Sequence, residues 1–156
     1  MSFPDLFVES ILKPSVAPQQ MAASATVNGA SVAVENCESV VLQLDLGSLA
    51  GGPTGGTITL TPQESPDGVN WNQVNGTDSV VANYNDTLPE VLRYRYIGGA
   101  NGKQPYVRVS VTTALTGGTS PTINVSGTVL LGGLRFAGKQ PTAGAYPQTP
   151  GSSITN

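Results

Sequence analysis

The sequence predicts an all-β protein: an antiparallel β-sandwich of jelly-roll or immunoglobulin-like type, with an N-terminal arm and an extended C-terminal tail. Three observations point there. Apolar and polar residues alternate over short runs, turn-forming clusters separate those runs, and 19 Gly with 12 Pro in 156 residues interrupt helices throughout. The expected organisation is an arm over 1–22, a sandwich over 23–136 and a tail over 137–156.

In the arm, Pro4 is placed to open a short helix. Phe3, Phe7 and Ile11 recur every four residues before Lys13-Pro14 stops it. With Leu6 and Leu12 added, this segment is too apolar for a free tail and too short to fold alone. It is expected to dock, either on its own domain or on a neighbour. Phe3, Leu6, Phe7, Ile11 and Leu12 are therefore candidate partner-binding residues.

From residue 23 the period becomes two. Leu42, Leu44 and Leu46 alternate with Gln43 and Asp45, and Ile58 and Leu60 alternate with Thr57, Thr59 and Thr61. Leu92, Tyr94 and Tyr96 alternate with Arg93 and Arg95, which directs the tyrosines to the core and the arginines outward. Val107, Val109 and Val111 follow, then Ile123, Val125 and Val129, with Gly127 marking a bulge or a close approach. Asn28-Gly29, Gly51-Gly52-Pro53, Pro66-Asp67-Gly68, Gly98-Gly99 and Gly117-Gly118 supply turns between the runs. Seven or eight strands fit, enough for two sheets packed face to face. The tail has three Gly, three Pro and few large apolar groups, so it reads as extended, with Phe136 just before it and Tyr146 within it as further candidate contacts.

Composition narrows function. Only 11% of residues are charged, so much of the surface is Thr, Ser, Asn, Gln and Gly, which suits interfaces. Ten carboxylates and one base precede residue 91, while six bases and no acid follow it, giving formal charges of −9 and +6 on the two segments. Either acidic and basic strands neutralise each other within a sheet, or opposed faces attract neighbouring copies, with dimers and trimers the expected closed forms. Net acidity argues against general nucleic-acid binding. The first 30 residues show no export signal, and no apolar run is long enough for a membrane helix.

Catalytic chemistry is hard to assemble from these residues. There is no histidine, which excludes Ser-His-Asp and Cys-His systems, and the single Cys37 excludes an intrachain disulfide. Glu64 and Asp67 flank one turn as a possible carboxylate pair, but turn aspartates usually bond their own backbone. Asp67, Asn70 and Asn72 do not reproduce an alternating-acid calcium loop, and no cofactor is expected. Trp71 follows the turn as a strand-start core anchor or, alternatively, a sugar-stacking residue.

The run Gln63-Glu64-Ser65-Pro66-Asp67-Gly68-Val69-Asn70-Trp71, with Tyr106-Val107-Arg108-Val109, Gly118-Thr119-Ser120-Pro121 and Gly132-Gly133-Leu134-Arg135, resembles small virion proteins of tailed bacteriophages. The resemblance covers about residues 40–136 and is similar to β-rich capsid decoration, or cement, proteins. It implies a non-enzymatic protein made in the host cytoplasm that binds the major capsid protein on the shell exterior. The alternatives are another virion part (tail, neck or head fibre) or a carbohydrate-binding adhesion module. No site residues carry over, because the shared motifs are turns and core strands.

Overall fold

The computed structural model describes residues 10–86 and 90–134. Its strands are β1 (Ser10–Ala22), β2 (Ser24–Asn28), β3 (Val32–Ala33), β4 (Cys37–Ala50), β5 (Gly55–Ser65), β6 (Asn72–Gln73), β7 (Val80–Asn83), β8 (Glu90–Tyr96), β9 (Tyr106–Thr116) and β10 (Thr122–Leu134). A 3-10 turn at Val74–Gly76 sits between β6 and β7. No helix among the described residues is long and apolar enough to cross a membrane.

Two antiparallel sheets form. One has the order β1-β10-β4-β8; the other runs β2-β9-β5-β6, with β3 also on β9 and β7 also on β5. The pairing is nested from the chain ends inward: β1 on β10, β2 and β3 on β9, β4 on β8, β5 on β6 and β7. Because β2 with β3, and β6 with β7, share a position, the order is that of an eight-position jelly roll. Of the two expected sandwich types, this is the one formed.

The two-residue period builds the core. Leu42 and Leu44 of β4, Ile58 and Leu60 of β5, Val107, Val109 and Val111 of β9, and Ile123, Val125 and Val129 of β10 all point inward and are buried. Each such side chain contributes about 1.5–3 kcal/mol when fully buried, so one missing strand removes a large share of a domain's stability. Leu92 and Tyr96 face inward from β8 with Tyr94 packed against the core, and Arg93 and Arg95 are exposed, as their alternation requires.

The arm is where the structure departs most from expectation. Residues 10–22 form no helix; they are the edge strand β1, paired along β10 from Ser10↔Gly132 to Ala22↔Thr122. Val16 and Met21 enter the core. The four-residue recurrence through Ile11 loses to strand pairing, because Ile11 and Leu12 find Leu131 and Leu130 opposite them. The sandwich therefore begins by Ser10 rather than at residue 23. Register shifts between Pro14 and Gln19 let β1 bend toward the second sheet. Gly127 permits this approach: a Cβ there would lie 3.0 Å from Val16 Cβ and 3.3 Å from Val109 Cγ1.

Candidate functional site

The inward parity of β5 runs from Ile58 and Leu60 to Glu64, which puts a carboxylate at the end of the core with 7% of its surface exposed. Its Oε2 accepts a hydrogen bond from Tyr96 Oη at 2.7 Å and another from the Gly99 N–H at 3.1 Å. Tyr96 Oη in turn accepts the Gln104 N–H at 2.7 Å. Burial, and then the bond to Glu64, push the Tyr96 hydroxyl's pKa well above its ordinary value. Gly99 gives this carboxylate room, since a Cβ would stand 2.1 Å from Glu64 Oε1 and oblige it to shift.

Beside this carboxylate lies a recess of about 260 Å³ between the end of β5, β6 with the 3-10 turn, and the β8–β9 loop. Glu64, Asn72, Gln73, Asn75, Asn101 and Gln104 supply its polar lining. Three of these amides are oriented by the fold: Gln73 Nε2 donates to the Asp78 carbonyl at 2.8 Å, Asn75 Nδ2 to Asp78 Oδ2 at 2.9 Å, and Gln104 Nε2 to the Asn101 carbonyl at 3.3 Å. Tyr94 Oη also donates to Asp78 Oδ2, and its pKa too is raised, by burial first and by that bond second.

Asp67 is engaged differently from Glu64, by the turn that it closes. Its Oδ1 accepts the N–H groups of Asn70 at 2.8 Å and Val69 at 2.9 Å together with Ser65 Oγ at 2.9 Å, while Oδ2 takes Asn70 Nδ2 at 2.6 Å. These donors, the Asn70 N–H foremost, hold its carboxyl below the usual range. The oxygens that a calcium reading needs are thus spent on closing the turn.

Trp71 is not the core anchor expected. It lies half-exposed on the outer side of the second sheet, with the Arg108 guanidinium 4.4 Å from its ring centroid. Arg108 Nε donates to Gln63 Oε1 at 2.7 Å, and partial burial lowers the guanidinium's pKa. Arg93 likewise meets an amide, Gln43, at 3.2 Å. Arg108 occupies one face of the indole, and Trp71 does not line the recess.

The outer face of the second sheet carries rows of small, uncharged side chains: Thr26, Thr112, Thr59 and Val81 in one, and Ser24, Ala114, Thr57 and Asn83 in the next. Thr26 and Thr112 hydroxyls are 3.1 Å apart. Of the candidate contact residues, Ile11 is half-buried and Leu12 is 63% exposed, opposite Leu130 on the outer face of the first sheet. Phe3, Leu6, Phe7, Phe136 and Tyr146 lie outside the described residues. Neither the threonine rows nor the recess was read from the sequence as a site, although the alternation in Thr57-Ile58-Thr59-Leu60-Thr61 already held the first signal.

Fold and surfaces together define a jelly-roll sandwich with a polar end recess and an uncharged sheet face. No family model matches the chain, and no curated protein matches it. Among solved structures it is similar to a chain in the structure of infectious bursal disease virus, Gx strain, at 14% identity and a TM-score of 0.46, over 85% of this chain. It spans about a third, 34%, of that chain's length. It is also similar to a chain of Desmodium yellow mottle tymovirus, at 10% identity and a TM-score of 0.32, over 90% of this chain and 97% of that one.

Proposed function

We propose that this protein is a non-enzymatic structural part of a virus particle, of the capsid decoration type, which binds the shell exterior and bridges capsid subunits. The observation that carries the reading is the uncharged ladder on the second sheet. Adjacent strands stand about 4.7–4.9 Å apart, so the rows through Thr112 and Ala114 make a closely spaced surface whose burial strands no charge. Interface cores are depleted of charge in the same way. Leu12 and Leu130 add an apolar contact on the opposite sheet. The likeness of the Ser65-Pro66-Asp67-Gly68 region to tailed-phage virion proteins agrees with this reading.

The test is co-sedimentation with undecorated shells, beside a count of this chain relative to the major shell protein in purified particles. A decoration protein is expected in hundreds of copies, and a tail or neck component in few. Thr112→Lys puts a charge in the ladder and should weaken shell binding at least tenfold with an unchanged melting temperature. Unchanged binding by Thr112→Lys, or a handful of copies per particle, overturns the decoration reading.

A further inference from the structure

The end recess has a donor-acceptor imbalance that specifies its ligand. Glu64 Oε2 is occupied by Tyr96 and Gly99, whereas Oε1 accepts no hydrogen bond from the described residues. The partners of the Gln73, Asn75 and Gln104 amides are acceptors only (two backbone carbonyls and a carboxylate), so each amide must turn its NH₂ group toward the fold. Each of those three side chains then has one N–H and a carbonyl oxygen with two lone pairs left, so with Glu64 Oε1 the remaining acceptor sites outnumber the donors. A buried carboxylate with several amide oxygens around it calls for a cation that only donates.

Three of the chain's own cations are engaged elsewhere. Lys103 Nζ donates to the Cys37 carbonyl, Arg108 lies on Trp71 and Gln63, and Arg93 is bonded to Gln43. The volume, about 260 Å³, falls below the roughly 300–1,000 Å³ of pockets for drug-sized ligands and suits a single side chain. A sugar would want an aromatic platform, and none of the lining residues is aromatic.

We propose that this recess receives the guanidinium of an arginine from a neighbouring chain of the assembly. The planar head, with five N–H donors and a permanent charge, meets Glu64 Oε1 and the surrounding amide oxygens together; an ammonium has three donors and no fork. The source of the arginine rests on the structural reading above, but the chemistry of the recess does not.

The experiment follows the Gly99 amide resonance of the full chain while ethylguanidinium is added at constant ionic strength, with n-butylammonium, N-ethylurea and galactose in parallel. A saturable shift with ethylguanidinium is expected, at least fivefold tighter than with n-butylammonium and absent with N-ethylurea and galactose. Glu64→Gln keeps an acceptor for Tyr96 and Gly99 and should weaken the response at least fivefold. Gln104→Lys should abolish it by supplying a cation at the rim, while the Gln104 backbone bond to Tyr96 remains. Melting curves establish that both variants are folded. No saturable response to ethylguanidinium, an equal response in folded Gln104→Lys, or preference for ammonium or sugar overturns the proposal. Because no shell is present, failure here leaves the decoration reading standing, and loss of shell binding leaves the recess result standing.

Discussion

Ser15 Oγ accepts the Val109 N–H at 3.0 Å, so a side chain of β1 in one sheet completes the backbone bonding of β9 in the other. The same hydroxyl donates to the Ala30 carbonyl at 2.9 Å, and Gly29 N–H bonds the Val109 carbonyl at 2.8 Å. At the other end of β1, Thr113 Oγ1 donates to the Ala22 carbonyl at 2.7 Å. The first strand is thus stitched to the opposite sheet at two places.

Replacing Ser15 with Ala should leave the Val109 N–H buried without a partner. A loss of about 1–3 kcal/mol is expected. Urea denaturation of wild type and Ser15→Ala measures it, and a change below about 0.5 kcal/mol would show that another group takes over the bond.

A chain beginning at Ala23 should not fold cooperatively. It lacks Val16 and Met21, which are 1% and 2% exposed, and leaves β10 without its outer partner. Two such side chains alone contribute about 3–6 kcal/mol, against a typical total of about 5–15 kcal/mol. Circular dichroism melting of the truncated chain should show no sharp transition.

Neighbouring residues of β9 should respond very differently to substitution. Val109→Asp places a carboxylate at a fully buried position and should cost several kcal/mol, enough to unfold the domain. Ser110→Ala loses a bond of 2.8 Å to Asn28 Oδ1 on the outer face and should cost only about 1 kcal/mol. Equal losses in parallel denaturant titrations would contradict the assigned faces.

Stability should be bounded on both sides of the pH scale. Tyr94 and Tyr96 have raised pKa values, so unfolded tyrosine ionises at its ordinary value near 10 while the folded groups stay protonated. The folded state then binds more protons, and stability falls as pH rises above about 10. Asp67 is held below its ordinary 3.8, so its contribution is present above that value and is lost as pH falls below it. The midpoint of urea unfolding across pH should decline at both ends; Tyr96→Phe should flatten the alkaline decline, and Asp67→Asn the acid one.

Trp71, the only tryptophan, should be quenched by acrylamide in the folded protein, unlike a core indole. Removing the guanidinium that covers it, in Arg108→Ala, should raise the quenching constant further. No change on that substitution would mean the pair does not persist in solution.

Much of this architecture was legible in the sequence because strand parity is local. The runs around Leu42, Leu60, Tyr96 and Val109 each separate an inner from an outer face within five residues, and the glycine clusters end them where turns occur. The absence of histidine, the lone cysteine and the scarcity of charge were likewise composition alone. The recess was only half visible: counting by twos from Leu60 places Glu64 inside, but nothing local names Tyr96, Gly99 or Gln104 as its neighbours.

What only the tertiary structure decided depends on pairings between distant segments. Phe7 and Ile11 have helical spacing, yet Ile11 sits in a strand because β10, at the other end of the described chain, lies beside it. Jelly-roll order, rather than the immunoglobulin-like alternative, follows from β1 pairing with β10 and β4 with β8, a choice to which alternation is blind. Trp71 lies outside the core, against Arg108 of β9, a contact between segments that strand alternation does not reveal. A two-residue period tells a strand which side to bury; it does not tell it which strand to lie against, since every antiparallel neighbour offers the same backbone ladder.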